Sequence, residues 1–201
     1  MDDQPKVGVI VVDLQGDFTT LKKGSLAVDG TDQGYLDRVA SATEALHRKG
    51  HPIFATQDWH PADHVSFHTS HGGRKAFDVI DVAGRKQVLW PPHCVQETEN
   101  AKVLLDNKML VAIVQKGKDR GYDSYSGFQD DGGAPTELNP LLKKLGIQEL
   151  IIYGLATDYC VKATALDALK AGYAVTVIEG LCRGVAPDTT AMALDEMRRA
   201  G

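Results

Sequence analysis

The sequence predicts one α/β domain over residues 1–201, a mostly parallel sheet flanked by helices on both faces. Three observations carry this expectation. Short runs rich in β-branched residues recur at 7–14, 52–56, 109–115, 147–153 and 174–179, and they are nearly continuous rather than alternating, as strands covered on both faces require. Segments with apolar residues at helical spacing lie between or after these runs and close on glycines, the alternation that builds parallel sheets. With 43% apolar and 24% charged residues over 201 positions, the composition is that of a globular domain able to bury a core without disulfides or structural metal.

The first run ends in Asp13-Leu14-Gln15-Gly16-Asp17-Phe18. Ligands of open α/β sheets lie beyond the carboxyl ends of the strands, so Asp13 is a candidate for chemistry as well as for an ordinary turn. Phe18, an aromatic in a polar loop, can line a pocket or make a satellite core contact. Residues 33–49 form a helix through Leu36, Val39, Ala42 and Leu46, stopped by Gly50. The second strand runs into Gln57-Asp58-Trp59-His60-Pro61-Ala62-Asp63-His64-Val65-Ser66-Phe67-His68. Asp58 and His60, two apart in extended backbone, project to the same side and can grip one ion, although an isolated pair of this kind is a weak signal.

Residues 70–107 read as a long irregular excursion, which is uncommon inside a domain and often functional. Within it, Pro91-Pro92 stiffen the backbone beside His93 and so could present a third metal ligand. Trp90 offers a stacking surface or plain core packing, and Cys94 reads as structural. The third strand delivers Lys116-Gly117 at its carboxyl end, within reach of the crevice that Asp13 faces. Aromatics follow without periodicity in 121–128, and then a short helix over 138–145 with Gly146 as its stop.

The fourth strand, 147–153, turns at Gly154 into a helix that begins around Cys160 and runs to Gly172. Unpaired N–H groups at a helix start lower a thiol pKa and can hold an oxyanion, so Cys160 is a candidate nucleophile; the bland alternative is a buried core cysteine. The fifth strand precedes a loop with Cys182 and a helix from Pro187 through Ala191, Leu194 and Met197. A terminal strand is expected after that helix, where the sequence stops at Gly201, so the sheet is expected to be one strand short.

Net charge is −5 and no Lys/Arg-rich run occurs, which removes the electrostatic footprint of a nucleic-acid partner. The start of the chain is acidic and its first apolar run is too short for a signal peptide or a membrane span; a cytoplasmic protein without a membrane partner is expected, and a homo-oligomer is left open. Cys94, Cys160 and Cys182 are an odd number with no paired spacing, so no disulfide framework is suggested. The loop after the first strand holds Gly16 but no GxGxxG, against a dinucleotide-binding oxidoreductase. Asp13, Lys116 and Cys160 are instead expected at the ends of three strands: a base, a cation and a nucleophile suited to a carbon–nitrogen bond of an amide or nitrile.

Asp13-Leu14-Gln15-Gly16-Asp17-Phe18, Asp58-Trp59-His60-Pro61, Trp90-Pro91-Pro92-His93-Cys94-Val95, Lys116-Gly117, Tyr125-Ser126-Gly127-Phe128 and Gly154-Leu155-Ala156-Thr157-Asp158-Tyr159-Cys160-Val161 together resemble nicotinamidases of the isochorismatase-like cysteine hydrolase superfamily. The resemblance implies the isochorismatase-like hydrolase fold and hydrolysis of nicotinamide to nicotinate and ammonia in NAD salvage. It implies a catalytic triad of Asp13, Lys116 and Cys160, with Cys160 attacking the carboxamide to form a thioester. An oxyanion hole from the N–H groups of Ala156 and Cys160, with a cis peptide between Leu155 and Ala156, is implied as well. A divalent ion, zinc first and iron or manganese as alternatives, is implied on Asp58, His60 and His93 facing the pyridine nitrogen, with Phe18, Trp90 and Tyr125 flanking the ring. Some relatives recruit a fourth metal ligand, and the sequence leaves open whether His64 or His68 serves. The alternatives are another cysteine amidohydrolase of the same superfamily and a non-catalytic binding protein that retains the fold.

Overall fold

The computed structural model describes residues 5–201; residues 1–4, part of the acidic start read above as no signal peptide, lie outside the described residues. The chain builds β1 (Val7–Val12), α1 (Gln33–Arg48), β2 (Ile53–Asp58), β3 (Val79–Val82), β4 (Arg85–Val88), β5 (Leu110–Lys116), α2 (Leu138–Lys144), β6 (Glu149–Gly154), α3 (Lys162–Lys170), β7 (Ala174–Val177) and α4 (Pro187–Ala200). No helix among the described residues is long and apolar enough to cross a membrane.

The five strands expected from the apolar runs form one sheet in the order β5-β2-β1-β6-β7, and every pairing in it is parallel. Every residue of β2 is buried, as are all of β1 but Val7, so both faces of the central strands are covered. The chain fills one side of β1 first and the other side afterwards, and this reversal opens a crevice beyond the carboxyl ends of β1 and its neighbours. Val9 to Val12, Phe54, Leu150, Ile152 and Tyr153 anchor the core.

Helix ends follow local chemistry. The Asp32 side chain accepts from the Tyr35 N–H at 2.9 Å and caps α1, and Gly50 beyond its far end has φ 86°, a conformation that glycine adopts without penalty. Gly154 serves a different purpose: a Cβ there would lie 2.1 Å from the Val12 carbonyl oxygen, so a glycine lets β6 close on β1 where both strands end.

The stretch expected to be irregular contains a second, two-stranded sheet. β3 and β4 pair antiparallel from Val79↔Val88 to Val82↔Arg85, and the turn residues Ala83 and Gly84 both have positive φ, as a two-residue hairpin demands. It escapes an apolar-run search because Asp81 interrupts β3 and β4 reads Arg85-Lys86-Gln87-Val88. Two strand ends also shift toward the crevice: β2 runs on to Asp58 and β5 takes in Lys116.

Candidate active site

Three strand ends converge. Just past β1, Asp13 has φ 45°, a left-handed backbone uncommon for a residue with a side chain. Its N–H donates to Thr56 Oγ1 at 3.1 Å, and that hydroxyl donates back to Asp13 Oδ1 at 2.6 Å. Asp13 Oδ2 lies 2.9 Å from Lys116 Nζ in a charge contact without hydrogen-bond alignment, and it is the buried side-chain polar atom left without a hydrogen-bond partner among the described residues. Lys116, fully buried at the end of β5, also donates to Asp58 Oδ1 at 2.6 Å, to the Ser124 carbonyl at 2.7 Å and to Cys160 Sγ at 3.4 Å. Carboxylate oxygens of Asp13 and Asp58 and the Cys160 sulfur all lie within 4.8 Å of one another.

Cys160 sits in a π-helical turn, Thr157–Val161, that leads into α3, a local widening common at functional sites. The thiol there is not acidified overall. Burial pushes the Cys160 pKa well above the ordinary thiol range and outweighs the help of Lys116, while the neighbouring carboxylates add to the rise. The helix terminus alone predicts a lowered thiol pKa; the net direction is upward, with loss of water the largest cause. Burial raises Asp13 likewise. Burial alone would strip the proton from Lys116, but Asp13 and Asp58 hold it there and keep its pKa well above the usual lysine value.

Asp58, His60 and His93 present ligand atoms within 4.8 Å of one another, all buried. Each imidazole is oriented through its other nitrogen: His60 Nδ1 lies 2.9 Å from the Gly117 carbonyl and His93 Nδ1 2.8 Å from the Pro91 carbonyl. With Nδ1 donating, both Nε2 atoms are left as acceptors, the arrangement by which outer hydrogen bonds fix a metal-binding tautomer. Burial and the nearby His60 push His93 down to about 4, so it is a neutral ring available for coordination. Burial would raise the Asp58 carboxyl, but Lys116 and His60 outweigh it and hold the group well below its usual range. Burial would lower His60, but the Asp58 carboxylate outweighs it and raises the ring's pKa; two imidazole nitrogens and one carboxylate oxygen are a donor set that fits a divalent transition metal. His64 stands outside this set, with Nδ1 2.7 Å from Ser66 Oγ and Nε2 3.0 Å from the Tyr122 carbonyl; His68 also stands outside it, its Nδ1 3.1 Å from the Trp90 carbonyl.

A narrow cleft opens on this cluster, and Phe18, Trp90 and Tyr125 all line it together with Asp58, His93 and Cys160. The Trp90 indole N–H donates to Tyr125 Oη at 3.2 Å. Sequence reasoning missed Leu26, Val28, Tyr159 and Val185, which complete the apolar wall, and Asp123. Tyr159 could have been found from its place beside Cys160; Leu26 and Val28 sit in an aperiodic loop that carries no comparable signal.

The Leu155–Ala156 bond is cis, as the resemblance implies. Leu155 donates to the Val12 carbonyl and Thr157 to the Arg183 carbonyl, each at 2.9 Å, which fixes the backbone on both sides of Ala156; among the described residues no group accepts the Ala156 N–H. Asp158 then ties the turn to α4: it accepts from the N–H groups of Val185 (2.9 Å) and Ala186 (3.3 Å) and from Thr189 Oγ1 (2.5 Å).

Comparison with known proteins agrees with this fold. The Escherichia coli nicotinamidase is 43% identical over 98% of this chain and 93% of its own length. The structure of an Acinetobacter baumanii nicotinamidase/pyrazinamidase superposes with a TM-score of 0.88 at 35% identity, covering 100% of this chain and 95% of that one. The Pyrococcus horikoshii pyrazinamidase, solved in complex with zinc, superposes with a TM-score of 0.80 at 36% identity, covering 98% and 97%. Residues 7–201 match the isochorismatase domain, and the chain belongs to the isochorismatase family.

Proposed function

We propose that the protein is a nicotinamidase: it hydrolyses nicotinamide to nicotinate and ammonia, a step of NAD salvage, through a thioester on Cys160. One observation carries the reading. Lys116 touches Asp13, Cys160 and Asp58 at once, so a nucleophile with its base and a cation-binding tripod share one aromatic-walled cleft.

The chain's own groups account for the chemistry. Asp13 Oδ2, buried and in charge contact with Lys116, takes the Cys160 proton as the sulfur attacks the carboxamide carbon, so the thiol's high resting pKa is met by transfer during attack. The Lys116 ammonium stabilises the developing thiolate. N–H groups of Ala156 and Cys160 face the carbonyl oxygen as it gains charge. Asp13 then hands its proton to the leaving nitrogen, the C–N bond breaks and ammonia departs. Water, activated by the same carboxylate, cleaves the thioester to nicotinate and restores the thiol. Phe18, Trp90 and Tyr125 hold the ring. Asp58, His60 and His93 would hold a divalent ion, zinc by similarity to the Pyrococcus horikoshii protein, which when bound supplies a Lewis-acid anchor for the pyridine nitrogen.

An ammonia-release assay on nicotinamide, with and without a chelator, tests the reading. The metal-loaded protein is expected to turn over and Cys160→Ala to be inactive. No ammonia from the metal-loaded protein refutes the function; undiminished release by Cys160→Ala refutes the nucleophile.

A further inference from the structure

The loop after β1 contains a buried amide, Gln15, that the proposed chemistry does not use. The backbone pairing of β1 with β2 ends at Val11↔Ala55, because the left-handed turn at Asp13 carries the chain away. On that side β2 would be left with unpaired peptide groups deep in the protein, a costly state. Side chains fill the gap. Thr56 meets Asp13 as described, and Gln15 meets Asp58 in both directions: Oε1 accepts from the Asp58 N–H at 2.8 Å, and Nε2 donates to the Asp58 carbonyl at 2.8 Å. The second Nε2 hydrogen reaches the Ala101 carbonyl at 2.7 Å. The Gln15 amide therefore stands in for one more residue of β1, and it does so at the residue whose carboxylate serves both the tripod and Lys116.

We infer that Gln15 is a positioning residue for the metal site: its two-way bond to the Asp58 backbone sets where the Asp58 carboxylate sits between His60 and Lys116. On the other edge β5 fixes the same stretch, with Asp58↔Lys116 in register and Trp59 donating to the Lys116 carbonyl at 2.9 Å. Asp58 is thus clamped from both sides, and Gln15 is the clamp that no strand supplies. The role rests on the metal site proposed above.

Zn2+ affinity, measured by competition with a chromogenic chelator, tests it on the full chain. Gln15→Met keeps the length and removes both bonds; Gln15→Asn keeps the amide and shortens its reach, so it serves should the first variant fail to fold. Gln57→Met is the control, because Gln57 Nε2 also donates to the Ala101 carbonyl, at 2.8 Å, without bonding the Asp58 backbone. Loss of an outer hydrogen bond to a metal ligand weakens affinity by about 10–100-fold, and that is the range expected for both Gln15 variants, with Gln57→Met within about threefold of wild type. Gln15 variants that melt earlier but bind Zn2+ as wild type does would make the residue merely structural and overturn the inference. A wild-type protein that takes up no Zn2+ overturns the site reading beneath it, and with it this role.

Discussion

Gly117→Ala is the smallest change expected to disable the site without touching a proposed ligand or triad member. Gly117 has φ 66°, and its carbonyl receives the His60 Nδ1–H at 2.9 Å. A Cβ there would lie 2.3 Å from His60 Cε1 and 2.5 Å from Nδ1, where ordinary contact begins at 3.4 Å. The imidazole must retreat by about 1 Å to restore normal carbon–carbon separation. A functional constellation tolerates roughly 0.5 Å, and a misplacement of about 1 Å costs on the order of 10²-fold in rate. The left-handed backbone adds about 1–2 kcal/mol for an L-residue, a fall in Tm of roughly 2–8 °C for a chain of this size. Zn2+ titration and ammonia release on the same preparation read both effects: a tenfold or greater loss of metal affinity and a loss of about 10² in kcat/KM are expected. Wild-type affinity together with kcat/KM within about threefold of wild type would refute the reasoning, because the ring would then have somewhere to go that the packing does not show.

Other outcomes follow from the same geometry. Asp13 must be ionised to accept the thiol proton, and burial holds its pKa above the ordinary carboxylate value; its ionised fraction therefore falls at a higher pH than usual, and the acid limb of kcat/KM at saturating metal is expected above the unperturbed value of about 3.9. An acid limb at or below that value would show that another group controls the step. Asp158→Ala leaves the Val185, Ala186 and Thr189 donors without their shared acceptor; since water reaches part of this region, a loss of roughly 1–3 kcal/mol is expected by denaturant unfolding, with a lower kcat because Cys160 is in the same turn. Unfolding unchanged by the substitution would mean that the turn holds its shape without α4.

Much of this architecture was legible in the sequence, for a physical reason. A strand covered on both faces needs a continuous apolar run, as in β1; β5 and β7, at the sheet edges, show apolar runs too although β7 buries none of its residues, while Gly50, Gly146 and Gly172 mark where helices stop. Asp13, Lys116 and the Asp58–His60 pair were weak candidates one by one at strand ends, and became legible as a site through the combined motifs of the resemblance. What stayed hidden depends on contacts distant in sequence. β3 is broken by Asp81 and β4 is mostly polar, and their turn is Ala83-Gly84 rather than the Asn-Gly that usually betrays a hairpin. Gln15 and Thr56 look like ordinary polar residues until the turn at Asp13 leaves them facing bare strand. The acidity of Cys160 was misread because a helix terminus is visible in sequence and the depth of burial is not.

The aromatic wall has a practical side. Trp59 and Trp90 are the two tryptophans of the chain. Trp90 lines the cleft, donates to Tyr125 and meets the Tyr159 ring edge-on at 5.0 Å, whereas Trp59 packs against the core outside that lining. The protein therefore carries its own optical probe: with Trp59→Phe as the background, emission from the remaining indole is expected to report the filling and emptying of the cleft, which stopped-flow fluorescence can follow within a single turnover.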